Sequence, residues 1–229
     1  MKLFIATPAY GGMFCWNYVK SMIQTVGGFY RNSIDFYVYT ISSDALISRA
    51  RNRCATAAMD WGADKLLFID ADIGWTWEDI LSLIRSDKLV VGGTYPMKSR
   101  PLTLNYNLLA EHSYASQMKS VEEHQNVKML ADPATGELSV AHLPTGFMMI
   151  DMRVFEKLKS GVSSYMEYEP HKPPTRQYDF FPVRVHDGTL ESEDWSFCTI
   201  CRENGIEVYL NTNIICTHMG TSIYSVASP

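Results

Sequence analysis

Two carboxylates one residue apart, Asp70-Ala71-Asp72, close the apolar run Lys65-Leu66-Leu67-Phe68-Ile69. Such a run reads as a central parallel strand, and open α/β sheets bind ligands at the carboxyl ends of their strands. Hard oxygens at that place suit Mg²⁺ or Mn²⁺. The pair also suits capping of the next turn. Its context, with Gly74, Trp75 and Trp77 directly after, favours the metal. His218 follows the run Ile214-Ile215-Cys216 and offers an imidazole nitrogen as a third ligand; a packed or surface histidine explains it equally. Glu193-Asp194 opens a helical segment, where the dipole and free N–H groups favour carboxylates. Capping explains that placement, and a carboxylate fixed there also suits a general base acting on a hydroxyl.

Other segments carry supporting chemistry. Thr7-Pro8-Ala9-Tyr10-Gly11-Gly12 follows the first apolar run, and there a backbone can approach a ligand and Tyr10 can stack on a base. It lacks the Gly-Lys-Ser/Thr of a phosphate-binding Walker loop and the G-x-G-x-x-G of a dinucleotide fold. A nucleotidyltransferase, the nearest alternative, calls for glycines with Arg or Lys in this loop, where Pro8 and Tyr10 stand instead. Arg49, Arg51 and Arg53 give a helix either a solvated basic face or a guanidinium for a diphosphate. Lys98, beyond Gly92-Gly93-Thr94-Tyr95-Pro96, reads as a phosphate partner or a surface lysine. Thr145-Gly146-Phe147 reads as a turn, or as the acceptor side of a site.

The elements that would position these residues can be read from periodicity. Strands are predicted over 3–6, 34–41, 65–69 and 89–91, with helices over about 14–27, 45–61 and 78–85 between them. Ser42-Ser43-Asp44 and Thr76 are helix-start signals, and Gly62 is a stop. This alternation predicts an open α/β sheet with right-handed crossovers. Asp132-Pro133-Ala134-Thr135-Gly136 reads as a hairpin turn, 143–151 as a buried strand and 153–159 as a short helix. Residues 161–188, rich in proline and aromatics, read as an irregular mobile loop. A helix over 194–204 stopped by Gly205 and a strand over 207–211 complete the pattern.

Composition narrows the classes. With 46% hydrophobic residues the chain can bury a full core, and a net charge of −5 without a basic run argues against a nucleic-acid partner. Five cysteines in no scaffold spacing fit a reducing compartment. Cys198-x-x-Cys201 lies in an amphipathic segment with no second Cys/His pair nearby, so packing is favoured over zinc. No stretch reaches a membrane span or a signal peptide, so a cytoplasmic location is expected. Residues 1–221 read as a single domain and 222–229 as a tail or linker.

The ordered set of Thr-Pro-Ala-Tyr-Gly loop, Ser48-Arg49-Ala50-Arg51-Asn52 helix, Asp70-Ala71-Asp72, Thr145-Gly146-Phe147, Ser192-Glu193-Asp194 and late Thr217-His218 resembles the GT-A glycosyltransferases. It is most like the small ones of large DNA viruses and phages, such as chlorovirus capsid-glycosylating enzymes. The resemblance spans residues 1 to about 221. It implies a Rossmann-like, open mixed sheet flanked by helices, and transfer of a hexose from a UDP- or GDP-linked sugar to a glycan or glycoprotein hydroxyl. It also implies a host-cytoplasm setting for a viral member. It assigns nucleotide contacts to Thr7, Ala9, Tyr10, Arg51 and Asp70, beside which Pro8, Ala71 and Lys98 are expected to lie, and Mn²⁺ or Mg²⁺ to Asp70, Asp72 and His218. Asp194 becomes the base, with Glu193 beside it. Inversion follows from that base, whereas a late metal-type histidine occurs in retaining relatives too.

Overall fold

The computed structural model describes residues 1–112, 118–168, 171, 173–220 and 223–225. Its main sheet has eight strands: β1 (Lys2–Pro8), β2 (Asp35–Ile41), β3 (Lys65–Ile69), β4 (Val90–Thr94), β5 (Asn107–Leu108), β6 (Glu137–His142), β7 (Phe147–Asp151) and β8 (Val208–Ile215). They lie in the order β2-β1-β3-β7-β4-β8-β6-β5. β2, β1 and β3 are mutually parallel, as are β4 and β8. β7 runs antiparallel between β3 and β4, which makes the sheet mixed.

Helices cover both faces: α1 (Trp16–Arg31), α2 (Ile47–Trp61), α3 (Trp77–Arg85), α4 (Val121–Lys128), α5 (Met152–Leu158) and α6 (Glu193–Glu203). The continuous apolar run of β3 follows from this double cover. Leu66 and Phe68 join Cys54, Phe155, Phe181 and Phe197 on one face. Leu67 and Ile69 point the other way, to Tyr18, Phe29, Ile80 and Leu83. Among the described residues no helix is long and apolar enough to cross a membrane.

Several local expectations change. α1 runs through Gly27-Gly28 to Arg31; a Cβ at Gly28 would lie 2.4 Å from the Trp77 ring, so the bare backbone is what admits the indole. α2 begins two residues later than expected, at Ile47. Asp44 accepts from the Leu46 N–H and takes both Nε and Nη2 of Arg49, which fixes a turn there. Thr76 caps α3 in a capping box with Asp79, and Gly62 ends α2 with φ 70°. The Asp132–Gly136 turn leads from α4, not from a strand, into β6; Ser120 and Glu123 form the capping box that starts α4.

Residues 161–188 are not an irregular loop in the described parts. Ser164–Glu167 pairs with Thr175–Tyr178, and Arg184–His186 with Thr189–Glu191. Phe180 and Phe181 between them are fully buried, Phe181 stacking on Phe197 at 4.6 Å. β8 extends to Ile215 through an irregular register, longer than 207–211. All five cysteines are free thiols, and Cys198 and Cys201 are buried in the core.

Candidate functional site

The Asp70–Asp72 segment leaves the end of β3 and is held by its backbone from three directions. The Asp70 N–H donates to Gly146 O at 3.0 Å and the Cys15 N–H donates to Ala71 O at 2.9 Å. Asp72 O accepts from the Met219 N–H at 2.9 Å and from Asn17 Nδ2 at 3.2 Å. A small antiparallel sheet explains the Met219 contact: Thr217–Met219 pairs with Ile73–Gly74, placing His218 opposite Ile73. Chain positions near 15, 70, 146 and 218 thus converge on one strand end.

The two aspartates face different partners. Asp72 Oδ2 meets Lys98 Nζ and lies 3.5 Å from His218 Nε2. His218 Nδ1 is 2.9 Å from Pro96 O, which can only accept, so Nδ1 carries the proton. With a cation bound between them, Nε2 would offer its lone pair to the ion, the arrangement of a metal-ligating histidine oriented by a backbone carbonyl. Burial works to raise the Asp72 carboxyl, but His218 and Lys98 prevail and hold it below the usual carboxylate range. A carboxylate oxygen and an imidazole nitrogen converging where an ammonium already sits fit a hard divalent cation.

Asp70 turns instead to Arg51, whose Nη2 lies 3.1 Å and 3.3 Å from its two oxygens. Arg51 is 3% exposed, and its Nε donates to Glu193 Oε1 at 3.2 Å. Burial opposes its charge, yet Asp70 and Glu193 raise its pKa above the usual value. Desolvation raises Asp70 despite the guanidinium. The three expected metal ligands are therefore not assembled: among the described residues no group of three His, Cys, Asp or Glu could hold a metal. Asp72 and His218 converge, while Asp70 is drawn off by the stronger, paired donor. Arg51, expected at a diphosphate, lies beneath the site as a bridge; only its Nη1, buried without a partner, is uncommitted.

Asp194 stands in the first turn of α6, accepting from the Ser192 hydroxyl and the Trp195 N–H. Burial first, and then the neighbouring Glu193 charge, pushes its pKa up to about 6. The Tyr95 hydroxyl is pushed well up by burial and by the charges of Asp70 and Asp194 together. Tyr95 was not singled out from the sequence, although its place just past β4 was the available signal. Its ring packs edge-on to His218 at 4.9 Å. Gly146 completes this wall, since a Cβ there would lie 2.4 Å from Tyr95 Oη and 2.7 Å from Asp70 Oδ2.

The first loop is divided. Tyr10 is 71% exposed, Pro8 is half-buried, and Thr7 and Ala9 are buried. Thr7 Oγ1 is paired with Tyr18 Oη at 2.8 Å, and the Ala9 N–H with Ile41 O at 2.8 Å. The Thr7 side chain is thus structural, a consequence of the last turns of β1 remaining inside the core. Thr145 Oγ1 is a second buried polar atom without a hydrogen-bond partner.

The mixed sheet, in which β7 and β6 run antiparallel to their neighbours, carries the D-x-D at the end of β3 and has the GT-A fold. Two solved structures share this fold at low sequence identity. The crystal structure of A197 from STIV aligns with a TM-score of 0.55 at 12% identity, covering 100% of this chain and 96% of that one. GalNAc-T7 with UDP, GalNAc and Mn²⁺ aligns at 0.50 and 8% identity, covering 96% of this chain but 44% of that one, so this chain spans under half of it. A glycosyltransferase involved in the glycosylation of the major capsid of PBCV-1 aligns at 0.35 and 13% identity over 70% of this chain and 65% of that one. No family model matches the sequence. No curated protein matches it significantly.

Proposed function

We propose that this chain is a metal-dependent glycosyltransferase that moves a hexose from a nucleotide diphosphate sugar, UDP- or GDP-linked, to a hydroxyl of a glycan or glycoprotein. The observation that carries the reading is a cation-seeking pair, Asp72 with His218, joined to a carboxylate of raised pKa, Asp194, through Tyr95, which packs on His218 and feels the charge of Asp194. The fold supports it, and the GalNAc-T7 neighbour holds UDP and Mn²⁺.

Asp72 and His218 would hold the divalent ion. Bound there, Mn²⁺ or Mg²⁺ supplies Lewis acidity to the leaving diphosphate. Lys98 moves its ammonium from Asp72 to a phosphate oxygen. Tyr10 offers its exposed ring to the base. Arg51 fixes Asp70 and Glu193, and through Glu193 the start of α6. Asp194 then takes the proton of the acceptor hydroxyl at its free Oδ as the sugar migrates, which gives inversion.

The test is product analysis with a panel of donors and Mn²⁺. Nucleoside diphosphate release that disappears in Asp72→Ala and with EDTA supports the reading. Pyrophosphate release identifies a nucleotidyltransferase instead, and a retained anomeric configuration removes Asp194 from the role of base.

A further inference from the structure

The first 34 residues contain Lys2, Lys20 and Arg31 and not one carboxylate. The remaining residues carry 17 cations against 25 carboxylates. Lys2 is held against Trp61, but α1 (Trp16–Arg31) itself carries Lys20 and Arg31 and no carboxylate, so its outer face favours a negatively charged partner. The first 34 residues also present much exposed apolar area: Met13 is 74% exposed, Trp16 68%, Ile23 66% and Tyr30 75%. On α1 the residues Trp16, Lys20, Ile23, Tyr30 and Arg31 fall within a single stripe at helical spacing, opposite the buried Tyr18, Thr25 and Phe29. Trp16 is the exposed one of the five tryptophans. Trp and Tyr with intervening Lys and Arg are the side chains that settle at a lipid–water boundary.

Beside this stripe an apolar groove of about 420 Å³ runs between α1 and the sheet-edge strand β2, lined by Phe14, Val19, Met22, Ile23, Val26 and Val38. Ile23 belongs to both stripe and groove. We propose that the outer face of α1, with the Met13-Phe14 turn before it, docks this protein on an anionic lipid surface, Lys20 and Arg31 meeting headgroups and the groove taking an acyl chain. A second copy of the chain is a poorer occupant, because a two-fold contact on this stripe brings the cations of the two helices together with no carboxylate on α1 to offset them. The turn is continuous with the Tyr10–Gly12 loop, so docking would hold the strand-end site close to the bilayer. The inference rests on this surface alone and not on the reaction.

The test is co-sedimentation of the whole chain with vesicles of phosphatidylcholine alone, and with roughly 30% phosphatidylserine added. Phosphatidylserine-dependent pelleting is expected, falling at least about tenfold in Lys20→Glu/Arg31→Glu and at about 0.5 M salt. Ile23→Ser/Tyr30→Ser, also at the surface, is expected to lose it as well. Trp16 emission should shift to the blue on binding and be quenched by brominated lipid, a change absent from Trp16→Phe. No pelleting, or pelleting that both double variants retain, overturns the proposal. A concentration-dependent dimer that Ile23→Ser/Tyr30→Ser dissolves, seen by light scattering, overturns it in favour of self-association.

Discussion

Arg51 and Glu193, 142 positions apart, meet through a 3.2 Å contact between Nε and Oε1, and the same guanidinium holds Asp70 with its Nη2. The D-x-D segment and the start of α6 are therefore joined by one buried cation. A buried ion pair contributes little net stability over an apolar replacement, but losing one partner strands the others without compensation.

Arg51→Met should thus destabilise the protein by roughly 3–5 kcal/mol, since it leaves Asp70 and Glu193 facing each other with no counter-charge. Arg51→Lys should recover only part of this, as an ammonium lacks the fork that serves both carboxylates. Urea unfolding at neutral pH measures the effect. A loss below about 1 kcal/mol for Arg51→Met would mean that the two carboxylates do not depend on it.

Asp194 should set a pH limit. Its pKa of about 6 means that it is protonated, and idle as a base, in acid. Turnover should rise with pH to a plateau, half-maximal near 6. Asp194→Asn should lose on the order of 10²–10⁴ in kcat. The stability effect has the opposite sign. A carboxyl whose folded pKa lies above its unfolded value costs nothing below the unfolded value of 3.8 and an increasing amount as pH rises toward 6. Asp194→Asn should therefore be more stable than the parent at pH 8 by about 1–3 kcal/mol, an advantage that vanishes near pH 3.5. Equal melting at every pH would remove the strain on this carboxylate.

Lys98 Nζ sits on Asp72 Oδ2, the oxygen that the proposed metal would take. Lys98→Ala should bind Mn²⁺ more tightly than the parent without nucleotide, because the resident ammonium is gone. With a nucleoside diphosphate present the same variant should bind the nucleotide more weakly, because a phosphate partner is gone. His218→Ala should weaken Mn²⁺ binding in both settings. Titration calorimetry with and without UDP or GDP separates the two. Unchanged Mn²⁺ affinity in both variants would place the ion elsewhere.

What the sequence made legible follows from how local each signal is. The apolar run 65–69, the Thr76 cap and the Gly62 stop are short-range, and each is found where expected. So is Asp70-Ala71-Asp72 at a strand end. That Asp70 faces Arg51 while Asp72 faces His218 depends on how the chain turns through Ala71, which spacing does not encode. Thr7 lies in a loop by its neighbours Pro8 and Gly11, yet Tyr18 on α1 captures its hydroxyl. The hairpins within 161–188 were hidden because their strands are four residues or fewer and half-exposed, too short for an alternating pattern to stand out. The insertion of β7 between β3 and β4 is a matter of topology, invisible to a reading that proceeds along the chain.

Gly146 offers the sharpest test of how the site wall is built. Its carbonyl accepts the Asp70 N–H at 3.0 Å, so the backbone at 146 cannot retreat without releasing the D-x-D segment. An added methyl in Gly146→Ala would lie 2.4 Å from Tyr95 Oη and 2.7 Å from Asp70 Oδ2. Overpacking of this kind costs about 1–3 kcal/mol where neighbours can shift. Here the atoms that must shift belong to the candidate site, so turnover should fall further than stability. The nearest atom is the tyrosine hydroxyl, and Tyr95→Phe removes it. The double variant Gly146→Ala/Tyr95→Phe should therefore be more stable than the two single effects sum to, with a coupling of about 0.5–3 kcal/mol. Urea unfolding of the four proteins measures that coupling; strict additivity would mean that the methyl never meets Tyr95.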